Sequence, residues 1–162
     1  IGRARAGTSW LVAREKEVRE MPTDVVFEYD ADKGIVFTVD EGMLRTKEEV
    51  DHFIYLNREY FRTLGKKVWV VSNIDGLRIG TPVADYYGES VRRLVDEWVL
   101  GHVRYGTSSP SRMTVRTSYL RARIDPNIYS SKEEAVRAIE RMRLAERQEP
   151  RTEDKSRVEA EG

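Results

Sequence analysis

Lys67-Val68-Trp69-Val70-Val71-Ser72-Asn73-Ile74-Asp75-Gly76-Leu77-Arg78-Ile79-Gly80-Thr81-Pro82 is the most hydrophobic short run of the chain, and within a few residues it turns polar and glycine-punctuated. Val68 to Val71 are apolar without alternation, the pattern of a strand covered on both faces by helices. The spacing predicts a strand ending near Ser72 and a loop from Asn73 to Gly80. A helix then opens with Thr81 as N-cap and Pro82 in the first helical position, where a missing N–H costs nothing. Open α/β sheets bind ligands beyond the carboxyl ends of their strands, so this loop is the first place to look for a site.

Upstream, Asp24 to Tyr29 and Ile35 to Val39 read as two strands joined by the turn Ala31-Asp32-Lys33-Gly34, with Gly34 available for positive φ. Thr46-Lys47-Glu48-Glu49 is a capping box, and Val50, Phe53, Ile54, Asn57, Phe61 and Leu64 share one helical face that Gly65 ends. Downstream, Val83, Tyr87, Val91, Leu94 and Trp98 form the inward face of the next helix, and Val99 to Tyr105 is a short strand. A hydroxyl residue ahead of Pro110 promises another capped helix. Met113 to Ile124 is ambiguous: Thr114, Val115 and Thr117 favour strand, whereas Met113, Thr117, Leu120 and Ile124 have helical spacing, and helix is the reading adopted. Asn127 to Tyr129 is a last short strand before the capping box Ser131-Lys132-Glu133-Glu134 and a final helix.

The expected fold is therefore α/β, a single domain with a mostly parallel sheet opened by a β-hairpin, in the order β-β-α-β-α-β-α-β-α, with helices packed on the sheet. Residues 1–22 are expected to form a charged N-terminal arm, residues 23–143 the folded domain and residues 144–162 a disordered charged tail.

The 162 residues are 40 % hydrophobic, enough for one core, and 35 % charged. With a mean hydropathy of −0.61 and no apolar run of about 20 residues, no membrane span is expected. The first 20 residues lack an apolar core, so no signal peptide is expected, and the cytoplasm is the expected location. The absence of cysteine excludes disulfides, thiolate catalysis and zinc–cysteine sites. His52 and His102 belong to no metal or triad motif, there is no G-x-S-x-G elbow, and neither a Walker motif nor G-x-G-x-x-G occurs. No catalytic residue, metal or cofactor is expected.

Net charge is zero but unevenly spread. Asp24, Glu28, Asp30, Asp32, Asp40 and Glu41 crowd the opening hairpin, while Arg104, Arg112, Arg116, Arg121 and Arg123 occupy a stretch without acids. Arg104, Arg112, Arg116 and Arg123 are expected to form a basic surface for an acidic partner, either another protein or the hairpin of a second copy. Tyr105 and Tyr119 invite a nucleic-acid reading, against which stand the pI near 7.0 and the six hairpin acids. Asn73, Asp75, Gly76, Arg78 and Thr81 are the expected contact loop. Arg78 beside a helix start suits an anion, while the same residues also read as an Asx turn with Gly76 at positive φ.

The element order, with Ile128-Tyr129-Ser130-Ser131-Lys132-Glu133-Glu134-Ala135-Val136 closing the domain, resembles the STAS or SpoIIAA-like anti-sigma-factor-antagonist family from about Thr23 to Met142. The resemblance implies a small regulatory or protein-interaction module rather than an enzyme, in a family whose members also bind lipids or small ligands. It places a phosphorylatable hydroxyl at the start of the second helix, where Thr81 stands. The family's acid before and glycine after that hydroxyl are here Gly80 and Pro82. The alternative reading is a carrier or sensor with a pocket between the sheet and the first two helices, lined by Tyr55, Tyr60, Tyr86, Tyr87 and Trp98.

Overall fold

The computed structural model describes residues 23–149. The expected arm at 1–22 and the tail from 150 onward lie outside the described residues. β1 (Asp24–Asp30) and β2 (Ile35–Leu44) form the opening antiparallel hairpin, and Gly34 takes φ 65° in its turn. Three parallel strands follow: β3 (Val68–Ile79), β4 (Val99–Tyr105) and β5 (Ile128–Tyr129), so the five-stranded sheet runs β1-β2-β3-β4-β5 with β3 at its centre.

Between the strands lie α1 (Lys47–Leu64), α2 (Ala84–Trp98) and α3 (Ser109–Arg121), and α4 (Lys132–Gln148) follows β5. Thr46 caps α1 by accepting from the Glu49 N–H at 3.2 Å, and Ser131 caps α4 through the Glu134 N–H at the same distance. Both capping glutamates reach one residue further back than the motif specifies, to the N–H of Arg45 and of Ser130. Gly65 ends α1 at φ 67°, donating to the Phe61 and Arg62 carbonyls. α4 continues to Gln148, so residues 144–148 extend a helix rather than begin a tail.

Side-chain alternation on the strands separates two apolar layers. Val36, Val68 and Val70 face α1, α2 and α3, packing with Val50, Phe53, Phe61, Tyr87, Val91 and Val115. Ile35, Trp69, Val71 and Val103 face the other way, onto Ala135, Ala138 and Ile139 of α4. Three helices on one face and one on the other explain why Val68 to Val71 show no alternation. Gly88 lets α2 and α3 touch: a Cβ there would lie 2.5 Å from the Ser118 carbonyl oxygen.

Candidate functional site

The stretch from Asn73 to Ile79, expected as a loop, is the second half of β3. β2 is long enough to pair with it, Glu41 opposite Gly76 through Leu44 opposite Ile79, after a bulge between Val39 and Glu41. Gly42 at φ 134°, not Gly76, takes the left-handed backbone there. Ile74, Leu77 and Ile79 are buried while Asp75, Gly76 and Arg78 are exposed, a one-sided strand pattern. β4 stops level with Asn73, and beyond it α3 takes over as β3's neighbour. Thr114 Oγ1 accepts from the Ile79 N–H at 3.3 Å, and Ser111 Oγ donates to the Asp75 carbonyl at 3.0 Å. The Asp75 N–H is taken by Asn73 Oδ1, an Asx turn, and the Ile79 N–H by Thr114 Oγ1, so these two groups are not open to an anion.

Asp75 is a structural pin. Its Oδ1 accepts from the N–H of Thr107 at 2.7 Å and of Ser108 at 2.8 Å, fixing the loop between β4 and α3, and the Asp75 N–H donates to Asn73 Oδ1 at 3.0 Å. Ser108, one residue earlier than the serine beside Pro110, caps α3 through the Ser111 N–H. Thr81 is not the cap of α2. It opens a 3₁₀ turn, Thr81–Val83, whose flanking position is Gly80, and α2 begins at Ala84 without a side-chain cap. Thr81 is exposed and lies in that turn, ahead of α2. Gly76 and Arg78 on β3 and Thr81 in the turn after it are each exposed.

The arginines divide. Arg116 and Arg123 are exposed, and Arg112 is half-buried with Nη1 donating to the Gly106 carbonyl at 3.0 Å. Arg112, Arg116, Met113 and the segment 125–129 line a groove of about 560 Å³ beside β5. Arg104 is no surface residue: it is 1 % exposed. Its guanidinium lies 3.8 Å from the centre of the Tyr119 ring, donates from Nη1 to the Pro126 carbonyl at 2.8 Å, and from Nη2 to His102 Nδ1 at 2.7 Å.

That last bond is one end of a polar chain across three strands. His102 Nε2 lies 2.8 Å from Ser72 Oγ, Ser72 Oγ lies 2.8 Å from Thr38 Oγ1, and Thr38 Oγ1 lies 2.8 Å from Asp40 Oδ1. An arginine can only donate, so His102 Nδ1 accepts and Nε2 carries the hydrogen toward Ser72. The Asp40 oxygen accepts from Thr38, whose single hydroxyl hydrogen is then engaged, and Ser72 donates to Thr38. Burial and the facing Arg104 hold the His102 imidazole well below its usual pKa, so the ring is neutral. Burial pushes the Asp40 carboxyl up to about 7, against the Thr38 hydrogen bond and the Arg104 charge, which both favour the anion. Thr38, Asp40, Ser72 and Arg104 are buried and His102 is half-buried, so the hydrogen-bonding groups of the set are largely satisfied by one another. Sequence reasoning missed this set. Its signal is polar residues at every second position (Thr38 and Asp40, His102 and Arg104), which on β2 continue the core-facing phase of Val36 but on β4 follow the exposed Leu100.

The five aromatics assigned to a carrier pocket take separate places. Tyr60 stacks on Phe27 at 4.3 Å, Tyr87 packs between Phe53 and Tyr119, and Trp98 is half-buried against the core. Tyr86 donates to Asp51 at 2.5 Å, and Tyr55 is 56 % exposed. Among the described residues no group of histidines and acids is arranged to hold a metal, and no helix is long and apolar enough to cross a membrane.

No protein-family model and no curated protein matches the chain. Among solved structures, an anti-sigma factor antagonist from Mycobacterium paratuberculosis aligns over 74 % of this chain and 95 % of its own, with a TM-score of 0.52 and 10 % identity. The anti-sigma factor antagonist SpoIIAA in its unphosphorylated form aligns over 75 % of this chain and 97 % of its own, with a TM-score of 0.48 and 15 % identity. The fold expected from the element order is thus the one observed, an anti-sigma-factor-antagonist or STAS fold.

Proposed function

We propose that the chain is a regulatory module that works by protein–protein contact, without catalysis, through Gly76, Arg78 and Thr81 together with the exposed arginines of α3. The observation that carries this reading is the contrast between the two polar sets at the carboxyl end of the sheet. The set with chemistry in it is buried at Thr38, Asp40, Ser72 and Arg104 and half-buried at His102, whereas the exposed set is held by a strand, a pinned loop and a helix. Rigid exposed polar groups on a scaffold suit recognition, because little conformational entropy is lost on docking. The structurally similar mycobacterial protein is named as the antagonist of an anti-sigma factor, a protein acting on another protein, which is in keeping with this reading. The cytoplasm, expected from the charged, cysteine-free sequence, is the proposed place of work.

The test is affinity capture from extract of the source cells with the wild-type chain and with Arg78→Glu. Arg78 is exposed, so the variant is expected to fold unchanged by circular dichroism. A protein retained by the wild type and lost from Arg78→Glu supports the reading. Identical retention by both, or substrate turnover by the purified chain, overturns it.

A further inference from the structure

The outer edge of the sheet beside α3 is shaped for a particular kind of partner. β5 is the edge strand and only two residues long. The Arg104 N–H donates to the Asn127 carbonyl and the Gly106 N–H to the Tyr129 carbonyl. Those two carbonyls therefore face β4, and by the alternation of a strand the N–H and C=O of Ile128 face the open side. One wall of the neighbouring groove is α3, which presents Arg112 and Arg116 one helical turn apart. Met113, 65 % exposed, adds apolar surface beside them. Arg116 makes no ion pair among the described residues, and Arg112 has one nitrogen engaged by Gly106, leaving the rest of its fork. The one acid lining the groove, Asp125, already accepts from the Asn127 N–H through Oδ1.

The geometry points to an extended segment of a partner protein, with acidic residues at alternate positions and apolar residues between them, laid along β5 as a sixth strand. This rests on the reading of the chain as an interaction module. Residues four apart on a helix are separated by about 6 Å along its axis, and residues two apart on a strand by about 6.7 Å. Two acids on one side of an extended segment thus meet both guanidinium groups, while the residues between them turn to the α4 side, beside Tyr129. The Ile128 N–H and C=O supply the main-chain bonds that fix register, the mode by which exposed sheet edges capture peptides. A second copy offers Glu28 and Asp30 at alternate positions on its own edge strand β1, but these share a depression with Lys132 and Arg137 of α4 and are already charge-balanced. A foreign acidic segment is the better match.

The experiment titrates the full chain into two fluorescein-labelled decapeptides of identical composition, one alternating Glu and Val and one with Glu and Val in two blocks, and follows anisotropy. The alternating peptide is expected to bind roughly tenfold tighter than the blocked one, and Arg116→Glu to weaken it roughly tenfold with circular dichroism unchanged. Equal affinity for the two peptides, no loss on Arg116→Glu, or no binding of either overturns the inference. Sedimentation of the free chain closes the remaining route: self-association abolished by Arg116→Glu assigns the groove to a second copy and overturns a foreign segment. Failure here with Arg78-dependent capture intact removes the groove and leaves the interaction module standing. Failure of capture with the peptide result intact does the reverse.

Discussion

Asp40→Asn is expected to make the protein more stable at alkaline pH than the wild type, although it removes the only carboxylate in the buried chain from Thr38 to Arg104. The Asp40 carboxyl has a pKa of about 7 in the fold against 3.8 in the unfolded chain. Between those values the unfolded chain is ionised and the folded one keeps its proton, so unfolding releases a proton and stability falls as pH rises through the window. A rise of about three pH units at 1.36 kcal/mol each is about 4 kcal/mol lost between pH 4 and pH 8. Asparagine keeps the oxygen that accepts from Thr38 and does not titrate. Its amide N–H₂ lacks an assured partner, a cost of about 1–3 kcal/mol that is the same at every pH. The diagnostic quantity is therefore the stability difference, variant minus wild type, which should climb by about 4 kcal/mol from pH 4 to pH 8 whatever its starting value. Urea unfolding followed by Trp69 and Trp98 fluorescence measures it. With an m-value of about 2 kcal/mol per molar, the relative midpoint moves by about 2 M urea. All other carboxylates are common to both proteins and cancel. A difference that stays flat with pH would show that Asp40 is an ordinary ionised partner of Arg104, and the assignment of burial as the dominant force would be wrong.

Asp75→Ala is expected to cost about 2 kcal/mol and to accelerate amide exchange at Thr107 and Ser108, since it removes the carboxylate that both N–H groups share; unchanged exchange there would mean that the pin is not what orders the loop. Thr81→Ala should shift thermal stability by less than about 0.5 kcal/mol, because the hydroxyl caps nothing, and a loss of about 1 kcal/mol would restore the N-cap reading. His102 has a folded pKa below its unfolded one, so the wild type loses about 1.4 kcal/mol for each pH unit below about 6.5 over which the folded ring stays neutral. His102→Gln, whose amide supplies a donor and an acceptor, should lose that slope, and acid unfolding curves of equal steepness would contradict it.

The hairpin, both capping boxes, the Gly65 stop and the alternation of strands with helices were legible because each is a local signal that tertiary packing reinforces. The helix expected for the ambiguous segment near Met113 is present but buries another face: Met113, Thr117 and Leu120 are exposed, while Ser111, Val115, Ser118 and Tyr119 are buried. Its β-branched Val115 is buried at a helical position facing the core, so burial outweighed propensity. What failed was local reasoning applied to a long-range arrangement. Asp75-Gly76 looks like a turn, yet β2 runs to Leu44 and pairs with it, and the alternation of Ile74, Leu77 and Ile79 is offset by the bulge near Val39. Thr81-Pro82 has the form of a helix start, but a 3₁₀ turn intervenes before α2. Its charge alone places Arg104 at the surface, where charged residues usually lie. Its burial depends on a ring from α3, a carbonyl beyond it and a histidine two residues back, which share no sequence pattern.

The most direct test of the contact-module reading is an amide chemical-shift map of the ¹⁵N-labelled chain with a captured partner added. Shifts are expected to concentrate at Gly76, Arg78, Thr81 and Arg116, with Phe53, Tyr60 and Tyr87 unmoved. Shifts centred on those aromatic residues beneath α1 and α2, with Gly76, Arg78 and Thr81 unchanged, would contradict that reading and favour a carrier.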